Sequence, residues 1–264
     1  MNTKDKNIYI RKRRLLNRKK NTRNLISIFL IPLIFLIFIG AKTLNSKTEI
    51  FDVSANDNSI ATTRISTLNP DDTFTVVIDA GHGDWDVGTI GLNDSYEKDI
   101  VLNVALKLGE LLESEDINVV YTRTSDTLFW SDDSVENLYE RVNISNENNA
   151  DVFVSIHCNS TEESPYYNGV ETWYNIDDDE GSILARLIQD ELSALDYTSD
   201  RGSKYYDKEE SLVVLENTIA PSALVELGFL SNFSDEAFLT SEKGQSLSAK
   251  AIYNAILTYR DTLN

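Results

Sequence analysis

Apolar positions along this chain change their period in a regular order, and that order outlines a fold. Thr75-Val76-Val77-Ile78 is a β-branched run with nothing polar alternating, so it predicts a strand covered on both faces. In Asp151 to His157 the two-residue period puts Val152, Val154 and Ile156 on one face, and Phe153, Ser155 and His157 on the other. Ile117 to Tyr121, Gly169 to Tyr174, Leu212 to Leu215 and Ser222 to Leu227 read as further strands. Between them the spacing turns helical, first with apolar residues at 100, 101, 104, 105, 108, 111 and 112. Ser134 to Asn148 follows, with Val135, Leu138 and Val142 predicted inward. Asp178 to Asp196 carries Ile183, Leu184, Leu187, Ile188 and Leu192 on one face, and Glu242 to Thr262 closes the chain. This alternation predicts one three-layer α/β domain over residues 73–264, a mostly parallel twisted sheet with helices on both faces.

The N-terminal pattern is of another kind. Leu25 to Ala41 is apolar except for Ser27, Pro32 and Gly40, about the minimum to span a bilayer, and ten basic residues but one acid precede it. Basic before apolar predicts a cytoplasmic tail (1–24) and a transmembrane signal anchor (25–41), with cleavage after Ala41 as the competing reading. Residues 42–72, rich in Asn, Asp, Ser and Thr, read as an extracytoplasmic linker reaching roughly 30 Å. Charge sharpens the picture. With ten of the 24 basic and one of the 43 acidic residues in that tail, the rest of the chain has a net charge of −28. Such a domain does not hold nucleic acid by electrostatics. One cysteine, Cys158, excludes an internal disulfide. It neighbours His157 on the strand, so its side chain is expected on the opposite face, as a packed core thiol.

The chain has two histidines, and each ends a predicted strand: His82 in Asp79-Ala80-Gly81-His82-Gly83, and His157. In open α/β sheets ligands bind at the carboxyl ends of strands. Glu97 opens the helical pattern after His82, and Glu226 lies in the apolar run Ala223 to Phe229. Two His and one Glu suit an open zinc site, with a further Glu as general base. Each has a plainer reading. Asp94 with Glu97 three residues on makes a capping box, and Glu226 suits a salt-bridged strand carboxylate. Arg141 suits a salt bridge or a substrate contact, and the salt bridge is favoured.

Four blocks, Asp79-Ala80-Gly81-His82-Gly83, Glu97-Lys98-Asp99, Ser155-Ile156-His157-Cys158-Asn159 and Val225-Glu226-Leu227-Gly228-Phe229-Leu230-Ser231-Asn232, resemble the signature of zinc-dependent N-acetylmuramoyl-L-alanine amidases of the family-3 type. Order and spacing fit over roughly Phe74 to Tyr259. Asp84 and Val87 stand where that family more often has Gly and Pro, and Cys158 where a small residue is common. The resemblance implies Zn²⁺ on His82, Glu97 and His157, with Glu226 carrying the proton. The implied substrate is the amide between N-acetylmuramic acid and L-alanine in peptidoglycan. It also settles Glu97 as a ligand rather than a cap. The gap from Cys158 to Asn168 is too short for the inhibitory helix some family members carry there, so an open site is expected.

Two other functions compete. One is a non-catalytic wall-binding protein on the same fold, which loss of a ligand or the base would mark. The other is a zinc peptidase acting on stem peptides, which needs a basic residue for a carboxylate, with Arg123, Arg141 and Arg201 as candidates. A monomer is expected, held at the cell membrane by its anchor and facing the wall, or secreted if cleaved.

Overall fold

The computed structural model describes residues 73–130, 133–206 and 212–263. The predicted tail, anchor and linker lie outside these residues. Among the described residues no helix is long and apolar enough to cross a membrane.

Six strands form one sheet in the order β2-β1-β3-β6-β4-β5. They are β1 (Thr75–Ala80), β2 (Asn118–Tyr121), β3 (Val152–Asn159), β4 (Val170–Tyr174), β5 (Asp200–Tyr205) and β6 (Ser222–Phe229). The pairs β1–β2, β1–β3, β3–β6 and β4–β5 are parallel, and β4 meets β6 antiparallel. The helices are α1 (Glu97–Glu113), α2 (Ser134–Glu147), α3 (Asp179–Ser193), α4 (Val213–Asn217), α5 (Phe233–Leu239) and α6 (Glu242–Thr262). Asp133, Asp178, Asn232 and Ser241 cap α2, α3, α5 and α6 by accepting from first-turn N–H groups. Each such cap contributes about 1 kcal/mol.

The two-residue period divides the sheet between two cores. Val76, Ile78, Val152, Val154, Ile156, Ala223, Val225 and Leu227 pack against α1, α3 and α6, and Cys158 joins them as a buried thiol. Val77, Phe153 and Leu224 face the other way, against Val142 of α2 and Val214 and Leu215 of α4. The sheet is therefore the middle of three layers, as the alternation predicts. Asp79, Ser155, His157 and Glu226 share the second face by the same period.

Three predicted details are corrected. Leu212 to Leu215, read as a strand, is the start of α4: its apolar residues cap the smaller core as one short helix rather than joining the sheet. Val135 is 59% exposed, because Arg141 and Asn137, not Val135, occupy the buried side of α2. Ile183 lies at the rim of its face at 37% exposure.

Candidate active site

The site stands at the carboxyl edge of β1, β3 and β6, built from the loop after β1 upward. Gly81 permits the closest approach there: a Cβ at this position would lie 2.3 Å from the His157 ring. The next residue, His82, takes φ 60°, a left-handed conformation that costs a non-glycine residue energy and is held only by its surroundings. Those surroundings are two buried arginines. Arg123 donates from Nε to the carbonyl of Ala80 (2.9 Å) and from Nη2 to those of Gly81 and Lys98 (both 2.8 Å). Arg141 donates to Ala80 (2.9 Å) and to His82 itself (2.7 Å). Three successive carbonyls are thus fixed by guanidinium groups.

Arg141 in turn is anchored by Asp79, 1% exposed, at 2.6 Å. Thr122 (2.8 Å) and Ser155 (2.6 Å) donate to the same carboxylate. Burial alone would push Asp79 up, but Arg141 and Ser155 outweigh it and hold its pKa below the ordinary value. The favoured salt bridge for Arg141 is therefore present, with a second role, gripping the His82 loop, that the sequence does not reveal.

Glu97 opens α1, whose N-cap position is Tyr96 without a side-chain bond, and Asp94 sits apart at φ 62°. The capping box is not formed. Instead the Glu97 carboxylate turns to the strand ends. Its Oε2 accepts from the N–H of Thr89 (2.7 Å) and its Oε1 from that of Cys158 (2.9 Å). Oε1 also lies 3.1 Å from His82 Nε2 and 3.1 Å from His157 Nδ1. Burial raises the Glu97 pKa, but the two imidazoles more than reverse this and leave it well below the carboxylate range. On His82, burial acts downward, yet the bonds to Asp86 (2.8 Å from Nδ1) and Glu97 raise its pKa to about 9.

One donor atom each from His82, Glu97 and His157 falls within 4.8 Å of the others. A tetrahedral ion with bonds of about 2.0–2.1 Å spaces its ligand atoms roughly 3.3 Å apart. The 3.1 Å separations around Glu97 fit that spacing. Asp86 on the far nitrogen of His82 is the outer carboxylate that metal-binding histidines commonly have. The sequence reading missed Asp86; its place four residues after His82 was the available signal.

Glu226 pairs with His157 across β3 and β6 and with Glu171 across β6 and β4. It is the reverse of Glu97 in its bonding. Its Oε2 is shut away from solvent with no hydrogen-bond partner among the described residues. Burial first, then the negative charges of Glu97 and Glu171, raise its pKa well above the ordinary carboxylate value. Among the described residues Glu226 makes no salt bridge. All four predicted residues thus meet at one edge of the sheet. Of the other candidate arginines, Arg123 and Arg141 support the loop from behind, while Arg201 lies on β5 beyond Glu171.

Comparison with known proteins gives the family. The family model described as N-acetylmuramoyl-L-alanine amidase matches residues 76–258. Bacillus subtilis protein YqiI is 42% identical over 190 residues, covering 71% of this chain and 85% of that protein. The germination-specific N-acetylmuramoyl-L-alanine amidase of Bacillus subtilis is 33% identical, covering 70% and 78%. Among solved structures, the N-acetylmuramoyl-L-alanine amidase of Clostridium difficile 630 superposes with a TM-score of 0.65 at 36% identity, covering 72% of this chain and 98% of that one. A match across nearly the whole folded domain, joined to a second protein at 33% identity, places this chain in the N-acetylmuramoyl-L-alanine amidase family of hydrolytic enzymes.

Proposed function

We propose that the chain hydrolyses the amide between N-acetylmuramic acid and L-alanine in peptidoglycan, with Zn²⁺ as its metal. The observation that carries this is the juxtaposition of two opposite carboxylates: Glu97, ionised between two imidazoles, and Glu226, unpaired and raised in pKa. His82, Glu97 and His157 would hold the ion, the donor set of a catalytic zinc centre. When bound, zinc supplies an activated water and a Lewis acid for the carbonyl oxygen. Glu226 supplies the proton traffic: its carboxylate takes a proton from the attacking water and returns it to the departing amine nitrogen of L-alanine. A raised pKa suits a group that must both accept and release a proton near neutrality. Asp86 fixes the orientation of the His82 ring, and Arg123 and Arg141 fix the backbone beneath it. A glycosidase would instead need two acting carboxylates flanking an acetal.

The proposal includes the chain's place in the cell: membrane-anchored through residues 25–41, with residues 73–264 facing the wall. The deciding experiment digests purified wall with the full-length chain and identifies new ends by mass spectrometry. New N-terminal L-alanine, abolished by a chelator and restored by Zn²⁺, is the expected result. New reducing sugar ends, or a free amine on another residue, would overturn the bond assignment. Recovery of the intact domain from culture fluid, free of the membrane, would overturn the anchor.

A further inference from the structure

Beyond Glu171, on the opposite side of Glu226 from the metal ligands, lies a second charged cluster. Glu171 is 3% exposed and all its acceptor capacity is in use. Oε2 accepts from Arg201 Nε (2.6 Å) and Lys204 Nζ (2.5 Å), and Oε1 from Asn159 Nδ2 (3.0 Å) and Trp173 Nε1 (3.2 Å). Two cations, Arg201 and Lys204, share this one carboxylate, and Asp200 beside Arg201 is the second acid of the neighbourhood, in a chain that is strongly acidic beyond residue 24.

Arg201 is held on three sides. Its stem lies over Gly169, where a Cβ would come within 2.4 Å of Cδ, so no larger residue fits. Its guanidinium carbon stands 5.0 Å from the Phe229 ring centre, and Nε is committed to Glu171. The two terminal nitrogens, Nη1 and Nη2, have no hydrogen-bond partner among the described residues. They are not sealed off: the side chain is 30% exposed and borders a groove of about 500 Å³ shared with Tyr166, Tyr167 and Asn168. Asp200, also on the groove wall, is already engaged by Gln189 Nε2 (2.6 Å) and the N–H of Gly202 (2.9 Å). A planar fork, pre-oriented by stacking and by its own anchor, matches a carboxylate bidentately.

We propose that Arg201 binds a free carboxylate on the peptide part of the substrate, and so marks the peptide side of the cleft. This rests on the amide reading above. The sugar half brings no free carboxylate, because its lactyl carboxyl is consumed in the amide that is cut. The peptide half brings at least one. An anionic peptide approaching this acidic domain meets repulsion except where a local cation receives it. Lys204, over the Trp173 ring at 5.3 Å, adds to that local field.

The test uses the full-length chain and two probes it cannot cut by amidase chemistry: alanyl-glutamate with free carboxylates, and the same dipeptide as its diamide. Calorimetric binding should favour the free acid by about tenfold or more, the scale of a charge-assisted hydrogen bond. Arg201→Met should bring that ratio close to one. Arg201→Lys, which keeps the charge and the pairing with Glu171 but loses the fork, should lose most of it while leaving the fold intact. A purely structural arginine would leave the ratio unmoved, and a parent chain that binds both probes equally, or a ratio that survives both substitutions, would overturn the proposal. Because binding is read without turnover, a wrong bond assignment would appear in the wall digest and leave this ratio in place.

Discussion

The two sides of the site are built on opposite rules. On the β1–β3 side the groups around the loop are tied down: Glu97 accepts from two backbone N–H groups and faces two imidazoles, and three loop carbonyls are held by Arg123 and Arg141. On the β6–β4–β5 side Glu226 Oε2 and the Arg201 fork have no hydrogen-bond partner among the described residues. A metal centre gains from over-determination, since an ion is selected by fixed ligand spacing. A proton carrier and a substrate clamp need unfilled valences, since filling them is their task. Leaving a buried carboxylate oxygen unpaired costs stability, roughly 1–3 kcal/mol by the usual penalty for such groups, and folds retain that cost at working sites.

Removing the open carboxylate should break this contrast most severely. Glu226→Gln keeps the shape of the side chain but cannot take a proton. Turnover should fall at least about 100-fold, the lower range for losing a general base, while bound zinc measured by mass spectrometry stays at the parent level. Near-normal turnover would move the proton carrier elsewhere. The acid limb of kcat/KM belongs to the same group. Because Glu226 must be ionised to accept a proton, activity should rise with pH through its raised pKa, above the usual carboxylate range of about 4.3.

The tied-down side should fail in affinity instead of rate. Asp86→Asn weakens the grip on His82 Nδ1 without touching a donor atom. Zinc affinity, read by chelator competition, should drop by about 10–100-fold, with turnover at saturating Zn²⁺ much less affected. Unchanged affinity would show that Asp86 does not orient the ring.

The same contrast explains what the sequence made legible. β1 and β3 are apolar on both faces or strictly alternating, so period alone finds them. β5, Asp200-Arg201-Gly202-Ser203-Lys204-Tyr205, has almost no apolar content, because it is an edge strand whose Arg201 and Lys204 pair with Glu171. Leu212-Val213-Val214-Leu215 reads as a strand because it is short, apolar and β-branched at its two valines, whereas burial against α2 makes it helical. His82 follows β1 and Glu97 opens α1, where strand and helix signals stop, whereas His157 and Glu226 lie inside β3 and β6, Glu226 as the one carboxylate in an apolar run. The grip of Arg123 and Arg141 on the His82 loop is not legible, since a supporting arginine and a substrate-binding one have the same side chain. By spacing alone Glu97 reads as a cap and the family resemblance reverses that; its carboxylate reaches Thr89 and the end of β3 and forms no capping box with Asp94.

The smallest expected effect on turnover, and the most informative about the supporting layer, comes from Arg141. Arg141→Met keeps the stem but removes the partner of Asp79 and the donor to the His82 carbonyl. Breaking a buried pair by deleting one member typically costs about 3–5 kcal/mol, because the remaining charge is stranded. In the parent, Asp79 has a lowered folded pKa, so its stabilisation is present above the unfolded value of about 3.9 and fades only as pH falls through the folded one. In the variant burial dominates, the folded pKa rises above the unfolded value, and stability is lost as pH rises. The gap between parent and variant should therefore be widest near neutrality and narrow toward about pH 4. Urea unfolding of both chains at the two pH values measures it. Turnover at neutral pH and low temperature should change by less than about tenfold, since Arg123 still holds Ala80 and Gly81. A gap that does not vary with pH would mean that Asp79 is not the stranded charge, and that Arg141 matters to the loop alone.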